Sequence, residues 1–325
     1  MKALVTGLAA AAAMIIAGSP SHAAPDDGAE ITAPGPQGKL HGSYIAPRDA
    51  MPIVLLIPGS GHVDRDGNSP PVVKSATMKL IAQGLAQRGI GSVRIDKRGM
   101  FASAGAIADA NAVTFDDYAA DVGSWVATLR QQTGRPCIWL AGHSEGGVVA
   151  LVATGRVEGI CGVILLSTPG RPMGQLILEQ LANMPSAAAL MPDAQHAVAA
   201  LEQGETVDVS GFHPALQSLF APQIQTYLIA AFRTDPAALA ATAQVPLLVI
   251  QGDSDLQVTP VDAQALHQAQ PAATLVMLPG VNHVLKIPDD ASRGANLATY
   301  ATPDLPLAPG VVPAMADFIL SHTEG

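Results

Sequence analysis

Ser144 stands at the centre of Gly142-His143-Ser144-Glu145-Gly146, directly after an apolar run at residues 137–141. A serine hydroxyl is a weak nucleophile. It gains reactivity from a base within hydrogen-bond reach and from a third group that orients that base. A G-x-S-x-G stretch at a strand-to-helix turn forces the serine into a strained backbone with its hydroxyl exposed, and the flanking glycines relieve the crowding. In folds that carry this elbow the acid and then the histidine follow in the chain. Two carboxylates qualify in Gly252-Asp253-Ser254-Asp255, just after a predicted strand. Asp255 has the better claim, because Gly-x-x-Asp lets the chain turn before the carboxylate points back; Asp253 reads as an exposed turn residue making local backbone bonds.

Of the nine histidines, His283 fits the base, since it lies in a Gly/Asn turn after a predicted strand, where packing gives no reason for an imidazole. His143 lies inside the elbow and reads as structural, shaping the turn. An acyl-transfer intermediate also needs donors for its oxyanion. The backbone N–H of Glu145 supplies one. The turn Pro58-Gly59-Ser60-Gly61 supplies the other, most naturally the N–H of Ser60. That turn is not a phosphate loop, for no Lys-Ser/Thr pair follows it. Neither a metal-ligand spacing nor a Gly-x-Gly-x-x-Gly opening a helix occurs, so no cofactor or metal is expected.

These groups must be brought to one place by the elements between them. Strands are expected at residues 39–46, 53–57, 92–95, 162–166, 245–250 and 273–278. Helices are expected at 78–87, 115–129 (with Thr114 as N-cap), 147–154 and 311–320. Alternation of this kind predicts an α/β protein with a mostly parallel sheet covered on both faces. Between about 171 and 242 the alternation gives way to helices alone, which predicts a helical cap inserted at the carboxyl end of the sheet. Residues 24–38, rich in Pro, Gly, Ala and Asp, are expected as an exposed leader, and 39–325 as one domain.

Composition narrows the partners. With 325 residues, 49% apolar and 14% charged, the chain can bury a sizeable core. A net charge of −10 without clustered Lys or Arg argues against nucleic acid and against an anionic membrane surface. Lys2, an apolar stretch to Ala17 and the small-x-small site Ser21-His22-Ala23 read as a signal peptide over 1–23. That predicts export to the periplasm or beyond, with no membrane anchor. Cys137 and Cys161 each open a strand, and those strands should be neighbours; a disulfide or two buried thiols both fit. The default oligomeric state is a monomer.

Five segments together resemble the α/β-hydrolases, and among them the secreted bacterial esterases and the serine aminopeptidase-like subgroup. They are Pro58-Gly59-Ser60-Gly61 followed by Asp64-Arg65-Asp66-Gly67-Asn68; Asp96-Lys97-Arg98-Gly99; the Ser144 elbow; Gln251 to Val258; and Gly280 to Lys286. The resemblance runs from about 39 to 320 and implies the α/β-hydrolase fold. It implies a Ser144–His283–Asp255 triad acting on a small-molecule ester or acyl substrate. One departure stands out: where the group often has Arg-Gly-x-Gly-x-Ser, this chain has Phe101 in place of the second glycine. The Gly-Gly-Ser-Trp-Gly pattern of proline iminopeptidases is absent, which favours ester over peptide hydrolysis. The rivals are a peptidase or amidase, for which Glu179 or Asp193 would have to anchor a substrate α-amine, and a non-catalytic binding protein.

Overall fold

The computed structural model describes residues 27–323; the expected signal peptide lies outside them. In chain order the elements begin β1 (Ala29–Pro34), β2 (Lys39–Ile45), β3 (Ile53–Ile57), β4 (Asn68–Ser69), β5 (Val73–Lys74), α1 (Thr77–Gln87), β6 (Gly91–Ile95), α2 (Phe115–Thr133), β7 (Ile138–His143), α3 (Glu145–Thr154) and β8 (Ile160–Leu166). A run of helices follows: α4 (Met173–Ala182), α5 (Met191–Glu202), α6 (Pro214–Leu219), α7 (Gln225–Arg233) and α8 (Pro236–Thr242). The chain then completes the sheet with β9 (Leu247–Gly252), α9 (Pro260–Ala269), β10 (Thr274–Leu278), α10 (Arg293–Ala298) and α11 (Val311–Ser321).

Eight strands form one sheet in the order β1-β2-β6-β3-β7-β8-β9-β10, parallel from β6 to β10, with β1 and β2 antiparallel at one edge. Central strands such as β3 read as unbroken apolar runs because each face is covered. Leu55 and Ile57 point into a layer with Tyr118, Val122 and Trp125 of α2 and Val149 of α3. Val54 and Leu56 point the other way, towards Met78, Ile81 and Leu85 of α1 and Met315 and Ile319 of α11. Thr114 caps α2 in a reciprocal box with Asp117.

Part of the expected exposed leader is a strand. β1 pairs with β2 over six residues and buries Ile31 and Ala33 while Glu30 faces out. The alternation Glu30-Ile31-Thr32-Ala33 is the signature of a half-buried edge strand, and the surrounding Pro and Gly residues mask it. Pro34, which lacks an N–H, closes the strand.

Cys137 and Cys161 form a disulfide with Cα atoms 5.1 Å apart. Pairing passes from Ile138↔Ile160 to Trp139↔Gly162, so Cys161 is the extra residue of a bulge in β8. The bulge re-aims its side chain toward Cys137, which a regular parallel pair would not do. The bridge spans a separation of 24 residues; constraint of the unfolded chain alone is worth about 3.5 kcal/mol for a loop of that size. Replacing both cysteines by serine is therefore expected to lower unfolding stability by about 2–4 kcal/mol in a urea titration; an unchanged midpoint would contradict the constraint.

Candidate active site

The turn from β7 to α3 places Ser144 at φ 53° and ψ −124°, in the region that L-residues rarely adopt. Its N–H donates to Leu166 O of the neighbouring strand at 2.8 Å, which pins the turn to the sheet. The glycines are sterically required. A Cβ on Gly142 would lie 2.1 Å from Gly146 O, and one on Gly146 would lie 2.3 Å from Ile57 O. Glu145 opens α3, so its backbone N–H has no acceptor inside the helix and adds to the positive end of the helix dipole.

Asp255 and His283 converge from the ends of β9 and β10. Asp255 Oδ2 accepts from His283 Nδ1 at 2.8 Å and from Gln251 Nε2 at 3.2 Å, while Oδ1 accepts the backbone N–H groups of Gln257 (2.8 Å) and Val258 (3.0 Å). Every acceptor direction of the carboxylate is thus engaged. Burial pushes the Asp255 carboxyl up, but the charge and hydrogen bond of His283, with the two backbone donors, outweigh it and hold the group below its ordinary value. Asp253 instead is exposed and accepts from Gly280 N–H at 2.7 Å, serving the turn before His283. Of the two carboxylates expected near the base, the geometry brings Asp255 to it.

Ser144, His283, Gly59, Ser60 and Gly61 border one cavity of about 240 Å³, together with His143, Gln257 and Tyr300. A second cavity of about 310 Å³ lies beside it beneath α7, sharing Gly61 and His62 and lined by Met100, Tyr118, Ile224 and Tyr227. Tyr227 and Ile224 come from the all-helical segment between β8 and β9, which emerges at the carboxyl end of the sheet. Phe101, the residue at the expected glycine position, has φ 45° and stacks on His62 with ring centroids 4.1 Å apart. It keeps the glycine-type backbone and adds an aromatic prop to the loop between the cavities.

Asp96-Lys97-Arg98-Gly99, one of the segments that carry the family resemblance, follows β6 directly. All three charged side chains are buried, and each ties a different segment. Asp96 Oδ2 accepts from Nε and Nη2 of Arg65 (3.0 and 2.7 Å) and Oδ1 from the Arg65 backbone N–H (2.8 Å), holding the loop after the Ser60 turn. Arg98 grips Asp121 of α2 through two bonds of 2.7 Å. Lys97 donates to Gly59 O at 2.6 Å and to Glu145 Oε1 at 3.0 Å, and Tyr227 Oη donates to the other oxygen of Glu145. Three consecutive charges beside a glycine were the available signal, but in sequence they look like any solvated turn.

Glu179, considered as an amine anchor, pairs with Arg171 at 2.6 Å, and Asp193 lies on α5 outside both cavity walls. Among the described residues no group of three or more His, Cys, Asp or Glu side chains is placed to hold a metal ion. No helix among them is long and apolar enough to cross a membrane.

The sheet and the elbow define the α/β-hydrolase fold. The family model described as Serine aminopeptidase, S33, matches residues 73–287, and the chain belongs to that family. The esterase EstD of Thermotoga maritima is 27% identical over 238 residues, 72% of this chain and 53% of that protein; the chain spans about half the length of this curated relative. Among solved structures, the α/β-hydrolase GrgF from Penicillium sp. sh18 is similar with a TM-score of 0.61 at 18% identity, covering 91% of this chain and 99% of the other. Est1E from Butyrivibrio proteoclasticus is similar with a TM-score of 0.57 at 16% identity, again over 91% and 99%. At these identities the structures share the fold.

His143 Nε2 lies 2.7 Å from His283 O, and a carbonyl only accepts, so Nε2 carries the proton. Burial, then the neighbouring His283 charge, pushes His143 from 6.5 down to about 4. The folded protein therefore holds His143 neutral while the unfolded chain protonates it, so stability falls as pH drops from about 6.5 to about 4. His143→Gln, whose amide can still donate to His283 O, is expected to lose less stability than the wild type between pH 7 and 4.5, read from urea midpoints. Equal losses would mean that His143 does not contribute to the acid sensitivity.

Proposed function

We propose that the protein is a serine carboxylic-ester hydrolase. The observation that carries the reading is that the hydrogen-bonded Asp255–His283 pair borders the same cavity as Ser144 at its strained turn. In this reading Ser144 Oγ attacks the ester carbonyl carbon while His283 Nε2 accepts the hydroxyl proton. Asp255 fixes the ring through Nδ1 and stabilises the imidazolium. The N–H groups of Glu145 and Ser60 receive the oxyanion. Collapse of the tetrahedral intermediate expels the alcohol, which takes the proton from His283. Water then attacks the acyl-enzyme with His283 taking its proton; the second tetrahedral intermediate breaks its bond to Ser144 Oγ, which takes that proton back from His283, and the carboxylic acid leaves.

Ester rather than peptide hydrolysis is supported by the charge inventory of the cavity walls. The first cavity is lined by no carboxylate among the described residues. The second has Glu145, which is already engaged by Lys97 and Tyr227. An aminopeptidase must neutralise a substrate ammonium, and neither wall offers a free carboxylate for it. The match to an esterase points the same way. The helical segment over residues 171–242 serves in this reading as a cap whose α7 closes the second cavity. A Cys137–Cys161 bridge suits an oxidising compartment, which supports work outside the cytoplasm.

Initial rates on p-nitrophenyl acetate, butyrate and decanoate, beside aminoacyl p-nitroanilides, test the reading. Ester turnover is expected, with anilide turnover at least about tenfold weaker. Ser144→Ala is expected to lower ester kcat by about 10³-fold or more while leaving the unfolding midpoint near that of the wild type. Preferential anilide cleavage would transfer the assignment to a peptidase, and undiminished turnover by the alanine variant would remove Ser144 from the chemistry.

A further inference from the structure

The carbonyl of Gly59 and the N–H of Ser60 belong to one peptide group. That group is planar and, here, trans, so the two bonds point in opposite directions. Whatever fixes the Gly59 oxygen therefore fixes the direction of the Ser60 N–H. Lys97 Nζ donates to that oxygen at 2.6 Å. The same ammonium donates to Glu145 Oε1 at 3.0 Å and sits 5.1 Å from the centre of the Tyr118 ring. Its side chain is 3% exposed and that of Glu145 1%. Water is thus kept from both partners, and the charge acts at short range.

Two features make this more than a buried ion pair. Gly59 lies close to the nucleophile, for a Cβ there would come within 3.3 Å of Ser144 Cβ, so the peptide that Lys97 holds borders the reacting residue. Lys97 also holds, through Glu145, the residue whose backbone N–H is the second oxyanion donor. One ammonium thus braces both donors from behind. A positive charge hydrogen-bonded to a peptide oxygen also polarises that peptide and strengthens its N–H as a donor.

We propose that Lys97 is the positioning residue of the oxyanion hole: it sets the orientation and donor strength of the Ser60 N–H and, through Glu145, locks the first residue of α3. Its ammonium is taken up by Gly59 O and Glu145 Oε1, and it acts through these two partners. The inference rests on the assignment of Ser144 as nucleophile and adds to it the group that prepares the site for developing negative charge.

Lys97→Met alone leaves Glu145 buried without its cation, which destabilises the fold. The informative variant is K97M/E145Q, which removes both charges while keeping a side chain that Tyr227 can still reach. With whichever acyl substrate the wild type turns over, the double variant is expected to lose about 10–100-fold in kcat, with KM within about threefold of wild type and the acid limb of the pH profile unmoved. The expected loss stays below the ~10²–10³-fold seen when an oxyanion donor is deleted outright. Its rate of Ser144 phosphonylation by a fluorophosphonate should fall in parallel, because that adduct also places an oxygen in the hole. Its unfolding midpoint should lie above that of Lys97→Met. Wild-type kcat and phosphonylation rate in K97M/E145Q would overturn the proposal and leave Lys97 as a counter-ion only. A wild type that neither hydrolyses esters nor labels at Ser144 would overturn the functional reading itself, and this inference with it.

Discussion

The turn from β7 into α3 holds Ser144 at φ 53°, and the remaining groups of the site are gathered around it. A non-glycine residue in that region costs of order 1–3 kcal/mol. The surroundings leave the chain no cheaper alternative. Gly142 and Gly146 touch backbone where any Cβ would overlap it, and Ser144 N–H is committed to Leu166 O. Both β7 and α3 are buried along nearly their whole length. Packing energy from the sheet and its helices thus maintains the strain at one residue. The turn puts Ser144 on the cavity wall and makes Glu145 the first residue of α3, whose N–H has no acceptor inside the helix.

The charged residues show a second ordering principle. The chain is poor in charge, yet Asp96, Lys97 and Arg98 are all buried in succession. Buried ion pairs are weak sources of net stability, because desolvation offsets their attraction. Here each pair joins separate loops to the sheet: Asp96 to Arg65, Lys97 to Gly59 and Glu145, Arg98 to Asp121. Arg171 does the same between α4 and α9, bonding Glu179 and Asp262. The loops that surround Ser144 are fixed by directional bonds where apolar packing alone would let them slide.

Much of this is legible in the sequence. Unbroken apolar runs marked the buried parallel strands, and the 3.6-residue spacing of Tyr118, Val122, Trp125 and Leu129 marked α2, because those signals are local. The elbow and the Gly-Asp-Ser-Asp turn were legible because glycine requirements leave a trace in sequence. β1 was missed because a short alternation is easily hidden among Pro and Gly. α9 and α10 carry too weak an apolar periodicity to stand out. Lys97 was missed for a deeper reason: its partners lie 38 and 48 residues away, and nothing in the sequence shows that a turn lysine faces inward. The short Tyr227–Glu145 contact depends in the same way on where α7 lies against α3.

A nucleophilic Ser144 must become covalently acylated and then be freed by water. Incubating the protein with p-nitrophenyl butyrate, quenching in acid within the first turnovers and mapping the peptides by mass spectrometry tests it directly. A butyryl group is expected on the peptide containing Ser144, lost on longer incubation as ester is consumed. Ester consumption with Ser144 unmodified at every time, or with the acyl group fixed on another residue, would contradict it.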